Sequence, residues 1–276
     1  MPQLEDWTNT AFLTALRLLK CPGAESPIIH RHDWQSGMCL LALEAQGKLG
    51  AGRVGLSVAA GSEQLMYLLT ERVDRLTAID LYTGKYKGDM LFNPEKYAMI
   101  PFVRERLTVR SMNATKLEFD DDTFDFVYSI GPSLNYFCGK VGAVSAMNEM
   151  YRVLRNDGVA VVATEFILGE QNHEAFYNKI IIMTDLLNKI RLQPISNLDF
   201  ALRGFEHLNP GRFWFSMPDR TIIRDTSSTT KKSTTLILNS RIASRHRKPW
   251  VPTSVLANLL NPFLIAPLLL VLRKGD

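Results

Sequence analysis

Residues 54–80 read VGLSVAAGSEQLMYLLTERVDRLTAID, and this stretch decides the fold. An apolar run, VGLSVA, is followed by a turn, AAGSE, then by a helix-like QLMYLLTER and a second apolar run, LTAID, that ends in an acid. This order is typical of a nucleotide-binding βαβ unit, in which the turn and the helix N-terminus receive the ligand and the acid holds a ribose. The stretch therefore predicts an enzyme that uses a nucleotide-like cofactor.

The alternation of strands and helices continues on both sides of this unit. Its regularity predicts an α/β fold with a doubly wound, mostly parallel, seven-stranded Rossmann-like sheet and an antiparallel edge strand. The apolar runs at 221–224 and 234–240 are predicted to be the antiparallel pair that closes the sheet edge. The predicted strands of the core lie at 54–59, 75–79, 107–112, 124–130 and 159–166, with a further strand near 195–202. The predicted helices lie at 6–20, 34–46, 63–72, 144–154 and 174–191.

Composition limits the class of protein. With 46% hydrophobic and 22% charged residues among 276, the chain is predicted to be folded and globular. Three widely spaced cysteines and an acidic N-terminus predict a reducing, cytoplasmic setting without a disulfide framework or a secretion signal. The net charge of +4 is matched by four basic residues within 241–248, so the rest of the chain sums to zero. This local basicity does not favour nucleic-acid binding.

Four segments in order resemble the motifs of the class I S-adenosylmethionine-dependent methyltransferases, in particular methyltransferase type 11-like domains. LSVAAGSE resembles the glycine-rich first motif and AIDLY the second. MNATKLEFDDDTFDFVYS resembles the third and fourth motifs, and EMYRVLRNDGVAVVATE resembles the strand-five signature. The likeness covers roughly residues 34–240. It implies an N-terminal helical cap at 1–53, a methyltransferase domain at 54–240 and a basic and apolar tail at 241–276.

The resemblance implies how S-adenosylmethionine would be held. Gly61 would let the backbone approach the cofactor, and Ser62 would cap a helix whose N-terminus faces the methionine carboxylate. Asp80 would accept both ribose hydroxyls, and the carbonyl of Asn113 would receive the adenine amino group. The full set of predicted cofactor contacts is Ser57, Ala59, Gly61, Ser62, Asp80, Leu81, Asn113, Ala114 and Ser129.

The chain departs from the family pattern at the first motif. Ser57 replaces the acid that usually begins it, and Ala59 and Glu63 occupy positions that are commonly glycine. At the end of strand four, Asn135 and Tyr136 stand where a similar bacterial-type subgroup has Glu and His. The catalytic base is therefore left open among Glu165, His173 and Tyr136, and a base is needed only for an acceptor that must lose a proton.

Two other segments have competing interpretations. His30, His32 and Asp33 have the residue types of a metal site, but no second cluster completes one, so no metal is predicted. In the tail, residues 251–272 carry no charge, yet Pro252, Pro262 and Pro267 oppose a membrane-spanning helix. The tail either caps the sheet or forms a homodimer interface, or it joins the basic residues in a peripheral membrane contact.

The sequence thus predicts methyl transfer from S-adenosylmethionine to a small or medium, apolar metabolite or envelope intermediate. One alternative is a methyltransferase-like binding or scaffold module without catalysis. The other is an NAD-dependent oxidoreductase or epimerase, which the missing G-x-G-x-x-G pattern disfavours.

Overall fold

The computed structural model describes residues 9–21, 24, 28–83, 88–131, 134, 139–167, 182–198, 221–223, 235–236, 251–252 and 265–275. The α-helices are α1 (Thr10–Leu18), α2 (Arg31–Ala45), α3 (Gln64–Thr70), α4 (Asp89–Phe92) and α5 (Gly139–Val153). The first strands are β1 (Ile28–His30), β2 (Gly50–Val58), β3 (Val73–Asp80), β4 (Leu107–Ser111), β5 (Phe124–Ser129) and β6 (Leu154–Ile167). The later strands are β7 (Leu192–Pro194), β8 (Thr221–Ile223), β9 (Thr235–Leu236), β10 (Val251–Pro252) and β11 (Ile265–Lys274).

Seven of these strands form one mixed sheet in the order β4-β3-β2-β5-β6-β11-β7. The five strands from β4 to β6 are parallel, and β11 runs antiparallel to both of its neighbours, β6 and β7. The predicted fold class is confirmed, with the antiparallel strand one place in from the edge. The strand order reverses between β2 and β5, and ligands bind at such a point beyond the carboxyl ends of the strands.

Strand β11 corrects the prediction for the C-terminal tail. Its residues pair with β6 from Ile265↔Ile167 to Arg273↔Val159, and Leu268, Leu270 and Leu272 are buried. The predicted domain ends at residue 240 because the tail lies beyond the motifs that resemble the family, and an uncharged run offers no alternation to mark a strand. A strand that is covered on both faces lacks the alternation of apolar and polar residues by which strands are recognised in a sequence.

The predicted antiparallel pair at 221–224 and 234–240 is wrong. Strand β8 pairs with β1, and β9 pairs with β10, in two small sheets separate from the large one. The strand predicted near 195–202 lies earlier, as β7. Most of the helix predicted at 174–191 lies outside the described residues, and a π-helical turn at Ile182–Leu186 is the part that is described.

Hydrophobic side chains cover both faces of the sheet. On one face, α5 contributes Ala143, Ala146, Met147 and Met150 to a cluster with alternate residues of β2. On the other face, α2 and α3 pack through Cys39, Leu40, Leu65 and Leu69. Helices on both faces confirm the doubly wound arrangement.

The N-terminal helices pack against the sheet. Asn9 caps α1 by accepting hydrogen bonds from the Ala11 and Phe12 backbone N–H groups, at 2.9 and 3.2 Å. Phe12, Leu16 and Trp34 form a small core between α1 and α2. Helix α2 contacts both β6 and β11. No helix in the described parts of the chain is long and apolar enough to cross a membrane.

Candidate active site

The backbone of the turn between β2 and α3 has a conformation that would let a ligand approach it closely. Ala59 and Gly61 both have positive φ, +56° and +55°. Ala60 donates its N–H to the Ile79 carbonyl at 2.9 Å, which ties the turn to β3. A Cβ added at Gly61 would meet no atom within 4 Å, so the space above this residue is open. That opening fits the prediction that the backbone is approached closely here.

Asp80 ends β3 and holds the turn in place. Its Oδ2 accepts a hydrogen bond from the Gly61 backbone N–H at 3.0 Å, and its Oδ1 accepts one from the Tyr82 N–H at 3.2 Å. An ionised carboxylate has about four acceptor positions, so two remain. The geometry leaves one free acceptor position on each oxygen, which is what a vicinal diol requires.

The cap of α3 is Glu63, and the prediction that Ser62 caps this helix is wrong. Glu63 Oε2 accepts the Met66 backbone N–H at 3.2 Å, whereas Ser62 is exposed. Glu63 directly precedes the first helical residue, Gln64, so its side chain can accept the N–H of the third helical residue, Met66.

Glu63 also closes a small polar cluster beneath the turn. Its Oε1 accepts the hydroxyl of Tyr128 at 2.6 Å and that of Ser57 at 3.4 Å. Ser57 and Tyr128 are paired residues of β2 and β5, and both are buried. Burial raises the pKa of Glu63 to about 7, although the hydrogen bonds from Tyr128, Met66, Leu65 and Ser57 favour its charged form. The sequence marked Glu63 only as a departure at a position that is commonly glycine; the signal of a further role was an acid six residues after Ser57, where the usual acid is absent.

The side chains of two predicted cofactor contacts, Ser57 and Ser129, are buried among the strands. Ser57 is 1% exposed, so its side chain is covered by protein. Ser129 is also fully buried, and its hydroxyl donates to the Val58 carbonyl at 2.8 Å. This bond joins the ends of β2 and β5. The hydroxyl groups therefore stabilise the edge of the site and do not line it.

The carbonyl oxygen of Asn113, predicted to receive the adenine amino group, is already hydrogen-bonded within the protein. Asn113 Oδ1 accepts both the N–H and the hydroxyl of Thr115, each at 2.9 Å. Both lone pairs of the carbonyl are thus used, and the exposed amide NH₂ is the group left for a ligand. Ala114 is 8% exposed, while Leu81 beside Asp80 is 56% exposed.

Helix α2 carries two polar residues that were not predicted for the cofactor site, and one of them lies at the end of β5. His32 Cε1 lies 3.3 Å from the position that a Cβ at Gly131 would occupy, at the end of β5. One turn later, Gln35 is fully buried and both polar atoms of its amide lack a hydrogen-bond partner. Sequence analysis considered His32 only for a metal, and nothing in the local pattern marked Gln35. Among the described residues, no group of three His, Cys, Asp or Glu side chains could hold a metal ion.

The predicted catalytic residues are described only in part. The backbone of Glu165 pairs with Pro267 of β11, near the C-terminal end of β6. Tyr136 and His173 lie outside the described residues. The roles of all three stay predictions.

The comparisons with known proteins agree with this geometry. Residues 56–162 match the family model described as a methyltransferase domain. This segment of the chain is similar in sequence to a methyltransferase domain. The match covers β2 to β6, and it confirms S-adenosylmethionine as the cofactor that the sequence predicts. No curated protein matched the sequence.

Solved structures share the fold of this methyltransferase domain at low identity. The YcgJ protein from Bacillus subtilis is 15% identical, with 88% of this chain and 99% of that chain covered and a TM-score of 0.52. A geranyl diphosphate methyltransferase in complex with SAM is 13% identical, covering 87% and 85%, with a TM-score of 0.53. The [4+2]-cyclase SpnF is 12% identical, covering 87% and 80%, with a TM-score of 0.52.

The residues of the methyltransferase domain fit an adenosine group. Asp80 has an acceptor position free on each oxygen, Leu81 offers an exposed apolar side chain beside it, and the backbone at Gly61 is open. These three features lie at the carboxyl ends of β2 and β3, where the topology predicts a ligand.

Proposed function

We propose that the protein transfers a methyl group from S-adenosylmethionine to a small or medium, apolar acceptor, a metabolite or an envelope intermediate. The observation that carries the proposal is the Asp80 carboxylate, which holds the turn through Gly61 and keeps two acceptor positions for the ribose. In this arrangement the adenosine binds at the carboxyl ends of β2 and β3.

Four residues are proposed to hold the adenosine. Asp80 binds the ribose hydroxyls, and Leu81 packs on the adenine ring. The amide NH₂ of Asn113 faces a ring nitrogen of the adenine, with Ala114 beside it. This assignment changes the predicted role of Asn113 from acceptor to donor, because its carbonyl is bonded to Thr115.

The chemistry asks little of the protein beyond placement. The bound cofactor supplies a methyl group on a positively charged sulfur. The thioether that remains after transfer is a good leaving group. The protein positions the acceptor atom in line with the methyl carbon and excludes water, and such positioning contributes about 7–11 kcal/mol. For a hydroxyl or carbon acid, Glu165, His173 or Tyr136 would take the proton, and His32 is a further candidate because it lies against Gly131.

Exposed apolar side chains support an apolar acceptor. Phe92 is 79% exposed and Met99 is 57% exposed, and both follow the carboxyl end of β3. The Met99 backbone N–H donates to the Gln64 side chain at 2.8 Å, which places Met99 beside the first residue of α3. An apolar molecule could therefore cover these side chains at the same edge as the cofactor.

Membrane contact stays a proposal for residues 241–264 alone. The apolar residues Leu268, Leu270 and Leu272 are buried in the sheet, so they do not reach lipid. Deleting 249–276 would remove β11 and disturb the fold, so it does not test lipid binding. A cleaner test replaces Arg245, Arg247 and Lys248 by Ala and measures cosedimentation with anionic liposomes. Equal cosedimentation of the wild type and the variant would contradict the contact.

A second candidate is a binding module without methyl transfer. One of the similar structures is named a cyclase and not a methyltransferase, although it shares the fold. The fold alone therefore does not determine the chemistry. The loss of the acid at Ser57 also favours this candidate. Cofactor binding without methylation across a panel of apolar hydroxyl, amine and carbon acids would favour it over the enzyme.

Calorimetry with S-adenosylhomocysteine tests the proposed function. We expect binding by the wild type, and we expect Asp80→Ala to weaken it by about 100-fold, since two hydrogen bonds to a charged group are lost. Asp74→Ala, an exposed acid at the other end of β3, is the matched control and should leave binding unchanged. Failure of the wild type to bind, or tight binding of NADH instead, would overturn the proposal.

A further inference from the structure

The side chain of Gln35 is buried without the hydrogen bonds that a buried amide needs. Among the described residues, four buried side-chain nitrogen or oxygen atoms lack a partner within the protein, and two of them are the amide nitrogen and oxygen of Gln35. The residue is 0% exposed. Burying an amide without partners costs free energy, so such a group in a folded protein needs a specific explanation.

Gln35 faces the sheet from the N-terminal half of α2. His32, Gln35 and Cys39 follow one another at intervals of three and four residues, so they share one face of the helix. Cys39 packs in a hydrophobic cluster on the sheet, whereas the partly exposed His32 lies beside Gly131, two residues after β5 ends. The Gln35 amide is therefore buried one helical turn inside the surface, near the carboxyl end of β5.

This position lies away from the part of the site that is assigned to the adenosine. The adenosine is proposed to bind at the carboxyl ends of β2 and β3, whereas α2 contacts β6 and β11 and its His32 lies at the end of β5. Because the strand order reverses between β2 and β5, Gln35 lies across this point from the adenosine. A molecule that receives a methyl group has to approach from this side.

We propose that Gln35 anchors the methyl acceptor through a group in which an N–H lies beside a C=O, as in a lactam or a primary carboxamide. This inference rests on the proposed function and names the polar feature of an otherwise apolar acceptor. The Gln35 NH₂ donates to the carbonyl of the acceptor, and the Gln35 carbonyl accepts its N–H. The amide is covered by protein, so binding requires the start of α2 to move.

The geometry of the amide selects this class of acceptor. The oxygen and nitrogen of a side-chain amide are attached to the same carbon, so a group with a donor and an acceptor side by side pairs with both at once. An ether or a ketone satisfies only the NH₂ and leaves the Gln35 carbonyl buried without a partner. The unpaired atom lowers affinity, and a site of this kind therefore discriminates against such molecules.

Protein stability gives the first test, and it needs no added ligand. Met has nearly the length of Gln, so Gln35→Met removes both unpaired amide atoms and approximately keeps the shape of the side chain. If the amide has no partner until a ligand binds, the variant should unfold at a temperature higher by at least about 2 °C. A lower unfolding temperature would show that the amide is already bonded in the folded protein, for example to buried water, and would overturn the inference.

Calorimetry at saturating S-adenosylhomocysteine gives the second test. 2-Quinolone is an apolar bicyclic lactam, and N-methyl-2-quinolone lacks its N–H donor. The wild type should bind 2-quinolone at least about 10-fold more tightly than the N-methyl compound, and Gln35→Met should reduce this ratio to less than about 3-fold. 2-Naphthamide and N,N-dimethyl-2-naphthamide give the same comparison for a primary carboxamide, so the two pairs distinguish a lactam from a carboxamide.

The affinity for S-adenosylhomocysteine separates this inference from the proposed function. Gln35→Met should bind it as the wild type does, because the adenosine is placed at β2 and β3. Gln46→Met, just beyond the C-terminal end of α2, is the matched control and should leave the probe ratios unchanged. Weaker S-adenosylhomocysteine binding by Gln35→Met, or equal wild-type affinity for both members of each probe pair, would overturn the inference. Failure of the wild type to bind S-adenosylhomocysteine would instead overturn the proposed function.

Discussion

Glu63 carries its charge at the expense of folding stability. Burial raises its pKa from 4.5 to about 7, so the folded state holds a proton between these values that the unfolded state has lost. The free energy of unfolding therefore falls as pH rises through this window, and above it the folded state carries a desolvated charge. A residue kept in that condition is typical of a functional site.

Replacing Glu63 by Gln should remove this pH dependence. At pH 5 the variant should be less stable by about 1 kcal/mol, because the two Glu63 oxygens accept from Tyr128 and from the Met66 N–H and Gln has only one acceptor oxygen. Between pH 5 and pH 8 the stability of the variant relative to the wild type should rise by on the order of 2 kcal/mol, because only the wild type buries a charge at pH 8. Urea unfolding at both pH values measures the shift. A constant difference between wild type and variant would contradict the raised pKa.

At the scale of elements, the centre of the sheet depends on a glycine. Gly55 of β2 pairs with Phe126 of β5, and a Cβ on Gly55 would overlap the Phe126 ring. Gly55→Ala should therefore destabilise the protein by about 1–3 kcal/mol through overpacking. Phe126→Leu in the same chain should recover part of the loss by making space. Thermal unfolding of the wild type, the two single variants and the double variant tests the contact. Purely additive changes in the free energy of unfolding would contradict it.

Strand β11 is an integral part of the sheet. Leu270 is completely buried in the hydrophobic cluster that includes α5, so Leu270→Ala should cost about 2–5 kcal/mol. Arg273→Ala, an exposed position on the same strand, should change stability by less than about 0.5 kcal/mol. Denaturant midpoints give both values. Equal, small losses would show that this strand does not belong to the core.

The sequence predicted those elements that local patterns encode. Strands β2 to β6 and helices α2, α3 and α5 follow from apolar runs, turns and spacing, and all lie close to their predicted positions. Strand β11 was missed because it pairs with residues of β6 that lie between 98 and 114 positions earlier in the chain. At the site, Asp80 followed from its place after a strand, whereas the surroundings of Glu63, Gln35 and His32 depend on how α2 and β5 pack.

At the scale of the whole molecule, Asp125 joins three strands at the edge opposite the site. It accepts the Val54 N–H at 2.8 Å and forms ion pairs with Arg53 at 3.0 Å and Arg155 at 2.8 Å. Burial alone would raise the pKa of Asp125, but these partners together lower it. Its contribution to stability is present at neutral pH and is lost as pH falls through the lowered pKa.

Asp125→Asn should therefore destabilise the protein at pH 7 by about 3 kcal/mol, since two arginines lose their partner. The difference from wild type should shrink in acid, where the wild-type carboxyl is protonated too. Asp74→Asn, at an exposed position of β3, is the surface control and should have little effect. A deficit that is unchanged at low pH would contradict the role of the charge.

The position of the ribose tests the central claim most directly. In a crystal structure with S-adenosylhomocysteine, we predict that both ribose hydroxyl oxygens lie within about 3 Å of the Asp80 carboxylate oxygens, with the Gly61 N–H bond retained. A cofactor bound with its ribose away from Asp80, or no cofactor at the carboxyl ends of β2 and β3, would contradict the account.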